Sequence, residues 1–217
     1  MEHKTFLTSD THFSSIKMLS NDFCSRAEKM GIDYDVNWLP KEQKMLDAIK
    51  KHDDFLIHMW NSVVNEKDFV YHLGDFARMS KSEEIENVLA KLNGKIILIR
   101  GNHDPLSDSQ YLEMVKRKSL YEVCPKGLLQ TQINKIKVFL SHYPSLSWNG
   151  RYRGVPHFFG HIHSGVGCYG IDINLPIQRG SCDVGTDAWG FKPVEFEAAM
   201  SWANSHGQIM ERERREP

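Results

Sequence analysis

The feature that most constrains this chain is an apolar run, Ile96-Ile97-Leu98-Ile99, which is followed closely by Gly101-Asn102-His103-Asp104. The length and branching of the run predict a fully buried strand. Polar side chains directly after such a strand lie at the carboxyl edge of a sheet, where open α/β folds keep their ligand sites. Taken alone, the stretch is equally compatible with an ordinary polar turn. The ends of the other predicted strands must therefore decide between a turn and a site.

The order of the predicted elements indicates an α/β fold. Strands are predicted at residues 4–7, 69–73 and 96–99. Between the last two, Ser80-x-x-Glu83 resembles a capping box, and apolar residues then recur at helical spacing. A strand, a crossover helix and a second strand form a βαβ unit, so these two strands should be parallel.

The remaining elements are shorter, and their signals are local. A helix is predicted at residues 41–52, continuing towards residue 60, and others at 109–118 and 194–203, the last with Pro193 at its first position. A hairpin is predicted at 128–140 with its turn near Asn134-Lys135, and strands at 155–159, 169–173 and 181–184. The segment at residues 13–40 is predicted to be an irregular excursion with one helical piece, and residues 211–217 a charged tail. With no linker and no internal repeat, we expect one domain over residues 1–217.

Composition limits the classes of function. The 217 residues carry a formal net charge of -1, which implies no general attraction to nucleic acid or to anionic membranes. No apolar run reaches the length of a membrane span, and the first residues do not resemble a signal peptide. Cys24, Cys124, Cys168 and Cys182 show no C-x-x-C spacing, so we expect free thiols in a reducing cytoplasm.

Five predicted strand ends carry residues that can bind a metal. These are Asp10-x-His12, Gly74-Asp75, Gly101-Asn102-His103-Asp104, Ser141-His142 and Gly160-His161-x-His163. In an extended chain alternate side chains face the same side, so Asp10 and His12 should hold one ion, whereas His161 and His163 either share an ion or divide between two. Carboxylate, imidazole and amide ligands suit manganese, iron or zinc. Because one zinc needs only three or four ligands, two metals that share Asp75 are predicted.

Taken together, these stretches form the pattern D-x-H … G-D … G-N-H-[DE] … H … G-H-x-H. The chain therefore resembles the calcineurin-like metallophosphoesterase superfamily over residues 10–163. Stretches such as Val70-Tyr71-His72-Leu73-Gly74-Asp75-Phe76 and Val184-Gly185-Thr186-Asp187-Ala188-Trp189 are similar to its small single-domain bacterial and phage members. The resemblance implies a four-layer α/β sandwich, in which two packed mixed β-sheets are flanked by helices.

The resemblance also implies a role for each site residue. Asp10, His12 and His163 would hold one metal, Asn102, His142 and His161 would hold the other, and Asp75 would bridge them. Manganese is the expected metal, with iron and zinc as alternatives. A hydroxide held by the metals would attack phosphorus, and His103 would act as the general acid. Asp104 or Asp75 is expected to raise the pKa of His103.

The resemblance leaves the substrate open. We expect a small nucleotidic phosphodiester; a phosphomonoesterase and a nuclease are the alternatives, and the neutral net charge disfavours the nuclease. A non-catalytic scaffold is disfavoured because the ligand histidines are all present. The arginines that we predict to bind phosphate oxygens are Arg78, Arg151 and Arg153. His72 and His157 are predicted core residues, and the loops at 13–40 and 144–156 are predicted to shape specificity.

Overall fold

Two β-sheets pack face to face in the computed structural model, which describes residues 3–20, 26–164 and 179–205. The strands are β1 Thr5–Thr8, β2 Phe69–His72, β3 Lys95–Ile99, β4 Glu122–Cys124, β5 Leu128–Ile133, β6 Ile136–Ser141, β7 His157–Phe159, β8 Ser181–Asp183 and β9 Val194–Glu195. The α-helices are α1 Arg26–Lys29, α2 Gln43–Asn61, α3 Ser82–Leu89, α4 Asp108–Lys116 and α5 Phe196–Ser205.

The first sheet has the order β4-β3-β2-β1-β9. Strands β1 to β4 are parallel, and β9 pairs antiparallel with β1. The predicted βαβ unit is confirmed, because β2 and β3 are parallel neighbours joined through α3. Parallel strands end at one edge of the sheet, so the residues that follow β1, β2 and β3 are brought close together.

The second sheet has the order β5-β6-β7-β8. Strands β5 and β6 form the predicted hairpin, and Asn134 and Lys135 make its turn with φ of 49° and 68°. Two successive residues with positive φ are what a two-residue turn needs to match the twist of its strands. Strands β7 and β8 run parallel to β6 and extend the mixed sheet.

Two apolar clusters hold the layers together. The first covers the outer face of the first sheet, where Val70 and Leu98 pack with Trp60 of α2 and Tyr111 of α4. The second fills the space between the sheets and under α5. Its members include Leu7, Leu73, Ile99, Val138, Leu140, Phe158 and Phe196. The predicted α/β fold, with two packed mixed sheets flanked by helices, is thus confirmed.

Several local predictions are corrected. Lys81, rather than Ser80, stands at the N-cap of α3 and makes no side-chain cap bond, whereas Ser107 and Gln110 form a capping box on α4. Residues 194–195 form β9 instead of beginning the last helix, because their backbone completes the sheet beside β1. Helix α2 is continuous from residue 43 to 61, and the short β4 was not predicted.

Some predictions concern parts of the chain that the structure does not describe. The strand at residues 169–173 and the tail at 211–217 lie outside the described residues. Within the described part of the chain, Cys124 and Cys182 are free thiols, as predicted. None of the described helices combines the length and the apolarity that crossing a membrane would require.

Candidate metal centre

The site lies where the carboxyl ends of strands from both sheets meet. Asp10 and His12 follow β1, and the backbone N–H groups of these two residues donate to the carbonyl oxygens of Gly74 and Asp75, both at 3.0 Å. Residues 102–103 follow β3, His142 follows β6, and residues 161–163 follow β7. The two mixed sheets therefore deliver all of the predicted ligands to one place.

Glycine residues permit this close approach. A Cβ atom on Gly74 would lie 2.4 Å from the backbone nitrogen of Gly101, and a Cβ on Gly101 would lie 2.3 Å from Oδ1 of Asp75. A Cβ on Gly160 would lie 2.0 Å from Oγ of Ser9. Each of these distances is far below van der Waals contact. The glycines of the three motifs are therefore required by packing between strand ends.

Five of the predicted ligands have a left-handed backbone. The residues are Asp10, His12, Asp75, His161 and His163, with φ of 58°, 50°, 56°, 72° and 47°. Non-glycine residues adopt this region at a cost of roughly 1–3 kcal/mol each, and such residues cluster at functional sites. The extended chain that we predicted for the x-spaced pairs is therefore wrong, although Asp10 and His12 do lie together. The tight turns after β1 and β7 direct both side chains of each x-spaced pair towards the candidate centre.

The candidate carboxylates and imidazoles, which are buried except for the half-buried His161, fall into two groups. In each group, one ligand atom per residue lies within 4.8 Å of the others. The first group contains Asp10, His12 and His163, and the second contains Asp75, His142 and His161. Oδ2 of Asp75 lies 3.5 Å from Nε2 of His12 and 3.6 Å from Nε2 of His142, so it stands between the groups.

The carboxylates are each anchored through one oxygen. Oδ2 of Asp10 accepts a hydrogen bond from the backbone N–H of His161 at 2.8 Å, while its buried Oδ1 has no hydrogen-bond partner among the described residues. Oδ1 of Asp75 accepts from the backbone N–H of His103 at 2.7 Å, which leaves Oδ2 between the two groups. In each carboxylate, one oxygen is fixed and the other is available to a cation.

The charge states also suit a cation. Burial, reinforced by the neighbouring His163 and Arg26, holds the pKa of His12 well below its usual value, so this imidazole is neutral. Burial likewise lowers the pKa of His161, and it raises the pKa of Asp75. Against the effect of burial, Asp10 and Asp187 raise the pKa of His163, so the lowered pKa values are those of His12 and His161. A bound divalent ion would supply positive charge beside the buried carboxylates, so the donor set fits a metal.

The amide of Asn102 joins the second group. Its Oδ1 lies 2.8 Å from Nε2 of His142. On the other side of the ring, Nδ1 of His142 is 2.8 Å from the carbonyl oxygen of Leu73, to which it donates. A backbone carbonyl on Nδ1 selects the tautomer whose Nε2 lone pair is free to bind a metal. Asn102 is therefore brought to the place that the sequence predicted for it.

His103 lies beside the two groups, and its Nδ1 contacts a guanidinium N–H of Arg78. Burial lowers the pKa of His103; Asp75 opposes that effect and Arg78 adds to it. Of the two carboxylates that were predicted to raise this pKa, Asp75 does so without outweighing burial, and Asp104 contacts backbone groups instead. The oxygens of Asp104 accept from the backbone N–H groups of Gly101, Asp75 and Phe76 at 2.7–2.9 Å, so this carboxylate holds the loops in place.

A cavity of about 240 Å³ opens over the centre. His12, Asp75, His103, His161 and His163 line it, together with Ser15, Lys17, Met18 and Arg78. Of the three predicted phosphate-binding arginines, the structure brings only Arg78 to this cavity. Arg151 lines a separate cavity with Arg179, and Arg153 is not among the described residues that line the first. The loop at 144–156 packs its Trp148 inward instead and carries its arginines away from the centre.

Sequence reasoning missed the buried residues that support the ligands. Nδ1 of His163 donates to Oδ2 of Asp187 at 2.8 Å, and Asp187 in turn pairs with Arg26. Asp187 lies in the stretch at residues 184–189 that resembles the small members of the superfamily, but that resemblance gave Asp187 no role. Arg26 lies in the irregular excursion and carried no signal. Lys17, an exposed residue of the same segment that lines the cavity, also carried no signal.

The chain resembles known proteins in sequence and in fold. A family model described as calcineurin-like phosphoesterase matches residues 3–209. An uncharacterised protein of Methanocaldococcus jannaschii is 28% identical over 196 residues, covering 89% of this chain and 88% of that protein. The gene 66 protein of Mycobacterium phage L5 is 27% identical over 169 residues, which cover 68% of this chain and 79% of that protein. A crystal structure of a protein of unknown function from Aquifex aeolicus has the same fold, with a TM-score of 0.58 and 18% identity. The match covers 91% of this chain and 97% of that chain.

Proposed function

The chain belongs to the calcineurin-like phosphoesterase family, and from that premise we propose that it hydrolyses a small nucleotide-like phosphodiester at a centre of two metal ions. The observation that carries the proposal is the position of Oδ2 of Asp75, which lies 3.5 Å from Nε2 of His12 and 3.6 Å from Nε2 of His142. One carboxylate oxygen shared by two ligand groups is the arrangement that a pair of cations requires.

The seven candidate ligands divide between two positions. Asp10, His12 and His163 would hold one ion, Asn102, His142 and His161 would hold the other, and the carboxylate of Asp75 would be shared. When bound, two such ions would lower the pKa of a water and orient the phosphoryl oxygens; manganese suits this donor set, and iron and zinc are alternatives. The left-handed turns and the anchored carboxylates fix these ligands before substrate arrives, so little reorganisation is needed.

His103 and Arg78 act on the substrate. In the free protein the guanidinium of Arg78 contacts Nδ1 of His103, so the ring carries its proton on Nε2. An anionic phosphoryl group that attracts Arg78 releases Nδ1 and, through its own charge, favours the protonated imidazole. His103 then donates a proton to the oxygen of the leaving group. We therefore propose that His103 becomes the general acid when substrate binds.

The acid role is tested by the His103→Ala variant with aryl phosphodiesters of different leaving groups. Phenyl esters need the proton most, so we expect kcat/KM to fall roughly 10²–10⁴-fold for them and much less for p-nitrophenyl esters. His58→Ala, which removes an exposed imidazole from α2, is the matched control. Equal losses for both kinds of ester would refute the acid role.

A phosphomonoesterase is the second candidate, and the rim of the cavity favours it. Lys17 and Arg78 are both exposed and line the same cavity as His103. Two positively charged side chains beside a centre of two metal ions suit a doubly charged phosphomonoester better than a singly charged phosphodiester. Turnover of p-nitrophenyl phosphate against bis-p-nitrophenyl phosphate by the manganese-loaded protein separates the two. A higher kcat/KM for the monoester would replace the phosphodiesterase proposal.

A further inference from the structure

We infer that Arg26 and Asp187 are positioning residues that orient His163 and thereby control the affinity of one of the two metal positions. This inference rests on the proposed function, because it concerns the same centre. It also gives a role to a part of the 13–40 segment whose contribution the sequence left open. The geometry links Arg26 to His163 through a chain of buried hydrogen bonds.

The contact between Asp187 and His163 determines which ring nitrogen faces the centre. Oδ2 of Asp187 accepts from Nδ1 of His163 at 2.8 Å, so Nδ1 carries the proton. The lone pair then lies on Nε2, which is 3.8 Å from Oδ1 of Asp10. The His163 ring stacks on the ring of His12 with centroids 5.2 Å apart. Asp187 thus selects the tautomer that offers Nε2 to the first group.

Arg26 fixes Asp187 from the other side. Its Nε and Nη2 atoms donate to the two oxygens of Asp187 at 2.8 and 2.7 Å, in the bidentate geometry that an arginine fork favours. Both side chains are completely buried. Burying an ion pair is expensive, and its conformational specificity is one reason for retaining it. The pair therefore holds the Asp187 carboxylate in a single orientation against His163.

The same guanidinium also holds the loop that carries the other two ligands. Nη2 donates to the carbonyl oxygen of Asp10 at 2.6 Å, and Nη1 donates to that of Thr11 at 2.9 Å. Arg26 therefore connects the turn after β1, which bears Asp10 and His12, to the ring that completes their group. All three ligands of the first group depend on this one side chain.

The second group has a different support. Nδ1 of His142 donates to the backbone carbonyl of Leu73 at 2.8 Å. A neutral carbonyl oxygen therefore orients the His142 ring, whereas the Asp187 carboxylate orients the ring of His163. A change at Asp187 should consequently weaken the position formed by Asp10, His12 and His163 and leave the other position intact. A purely structural role for Asp187 would not distinguish between the two positions.

The test measures metal binding, not only activity. The Asp187→Asn variant keeps the shape of the side chain and removes its charge. Manganese binding is followed by isothermal titration, with the bound metal counted by atomic absorption. Wild-type protein should bind two ions per chain, whereas in the variant the affinity of one ion should fall roughly 10- to 100-fold and the other should not change. Arg26→Lys keeps the cation but loses the fork, so it should weaken the same ion less.

Asp68→Asn is the matched control. Asp68 is a buried carboxylate that accepts from the backbone N–H groups of Lys4 and Asn65, both at 2.8 Å, and within the described part of the chain it contacts no residue of the metal site. It should lower the melting temperature of the metal-free protein without altering either manganese affinity.

Several outcomes overturn the inference. Unchanged affinities in Asp187→Asn would do so, and so would an equal loss at both positions together with a lower melting temperature of the metal-free protein, which indicates a structural role. If Asp187→Asn does not fold, Arg26→Lys decides by the same criteria. Wild-type protein that binds no manganese, iron or zinc would refute the proposed function itself, a result distinguishable from loss of one ion in the variant.

Discussion

His157 offers a quantitative test of the structure, because it is completely buried and no charged group among the described residues shifts its pKa. It is enclosed by the rings of Phe139, Trp148 and Phe159, whose centroids lie 4.9–5.3 Å from its own. Its Nε2 is 2.8 Å from Oγ of Ser141. Burial lowers the pKa of His157 from the usual 6.5 to about 3. We predict that the His157→Gln variant loses part of the acid sensitivity of the wild-type protein.

The magnitude follows from linkage between protonation and folding. Below pH 6.5 the unfolded chain protonates this imidazole, whereas the folded protein does so only near pH 3, so the free energy of unfolding decreases as the pH falls through this window. A pH of about 5 is about 1.5 units below the pKa of the imidazole in the unfolded chain, so protonation stabilises the unfolded state by about 2 kcal/mol. Glutamine is neutral throughout, so the variant should not show this part of the decrease.

The assay is urea unfolding of metal-free wild-type and variant protein at about pH 7 and pH 5, with free energies obtained by linear extrapolation. Any loss of the bond to Ser141 is independent of pH and cancels in the difference. His12, His52 and His72, whose pKa values burial also lowers, contribute equally to both proteins. The wild-type protein should lose about 2 kcal/mol more than the variant between the two pH values. Equal losses would refute the burial of an uncharged His157.

The remaining predictions concern the centre itself. A Cβ on Gly160 would lie 2.0 Å from Oγ of Ser9 and 2.5 Å from Oδ2 of Asp10. Gly160→Ala should therefore lower the free energy of unfolding by about 1–3 kcal/mol, measured by urea unfolding, and weaken manganese binding, measured by titration. Wild-type values in both measurements would contradict the packing argument. Asp75→Asn removes the charge shared by the two groups, so both ions should bind roughly 100-fold or more weakly by titration, and loss of only one would argue against a bridge. Lys17→Met should raise KM for p-nitrophenyl phosphate with little change in kcat; an unchanged KM in steady-state kinetics would remove Lys17 from the substrate site.

The sequence predicted those parts of the site that depend on local order along the chain. An apolar strand followed by a polar ligand is a short pattern. Its repetition at five strand ends, three of them with a glycine before the ligand, indicated a common edge. Asp75, for example, was identified because Gly74 ends a predicted strand, and the structure places its carboxylate between the two groups. The parallel pairing of β2 and β3 followed from the helical pattern between them.

Interpretation of the loops was weaker, because exposed arginines carry no signal of direction. Arg78, Arg151 and Arg153 were equivalent in sequence, yet only Arg78 lines the cavity above the centre. The same limitation applies to backbone conformation. Nothing in Asp10-x-His12 indicates that both residues adopt positive φ, a geometry that is imposed by hydrogen bonds to the neighbouring turn after β2.

The amino-acid order by itself indicated the candidate ligands and the five strand ends that carry them, because both are encoded within a few neighbouring residues. Only the tertiary structure decided what holds those ligands. Arg26 and Asp187 are 161 residues apart, and their pairing arises when α1 and the turn after β8 are packed around one centre. Such long-range contacts depend on the assembled layers, and no local period or spacing encodes them.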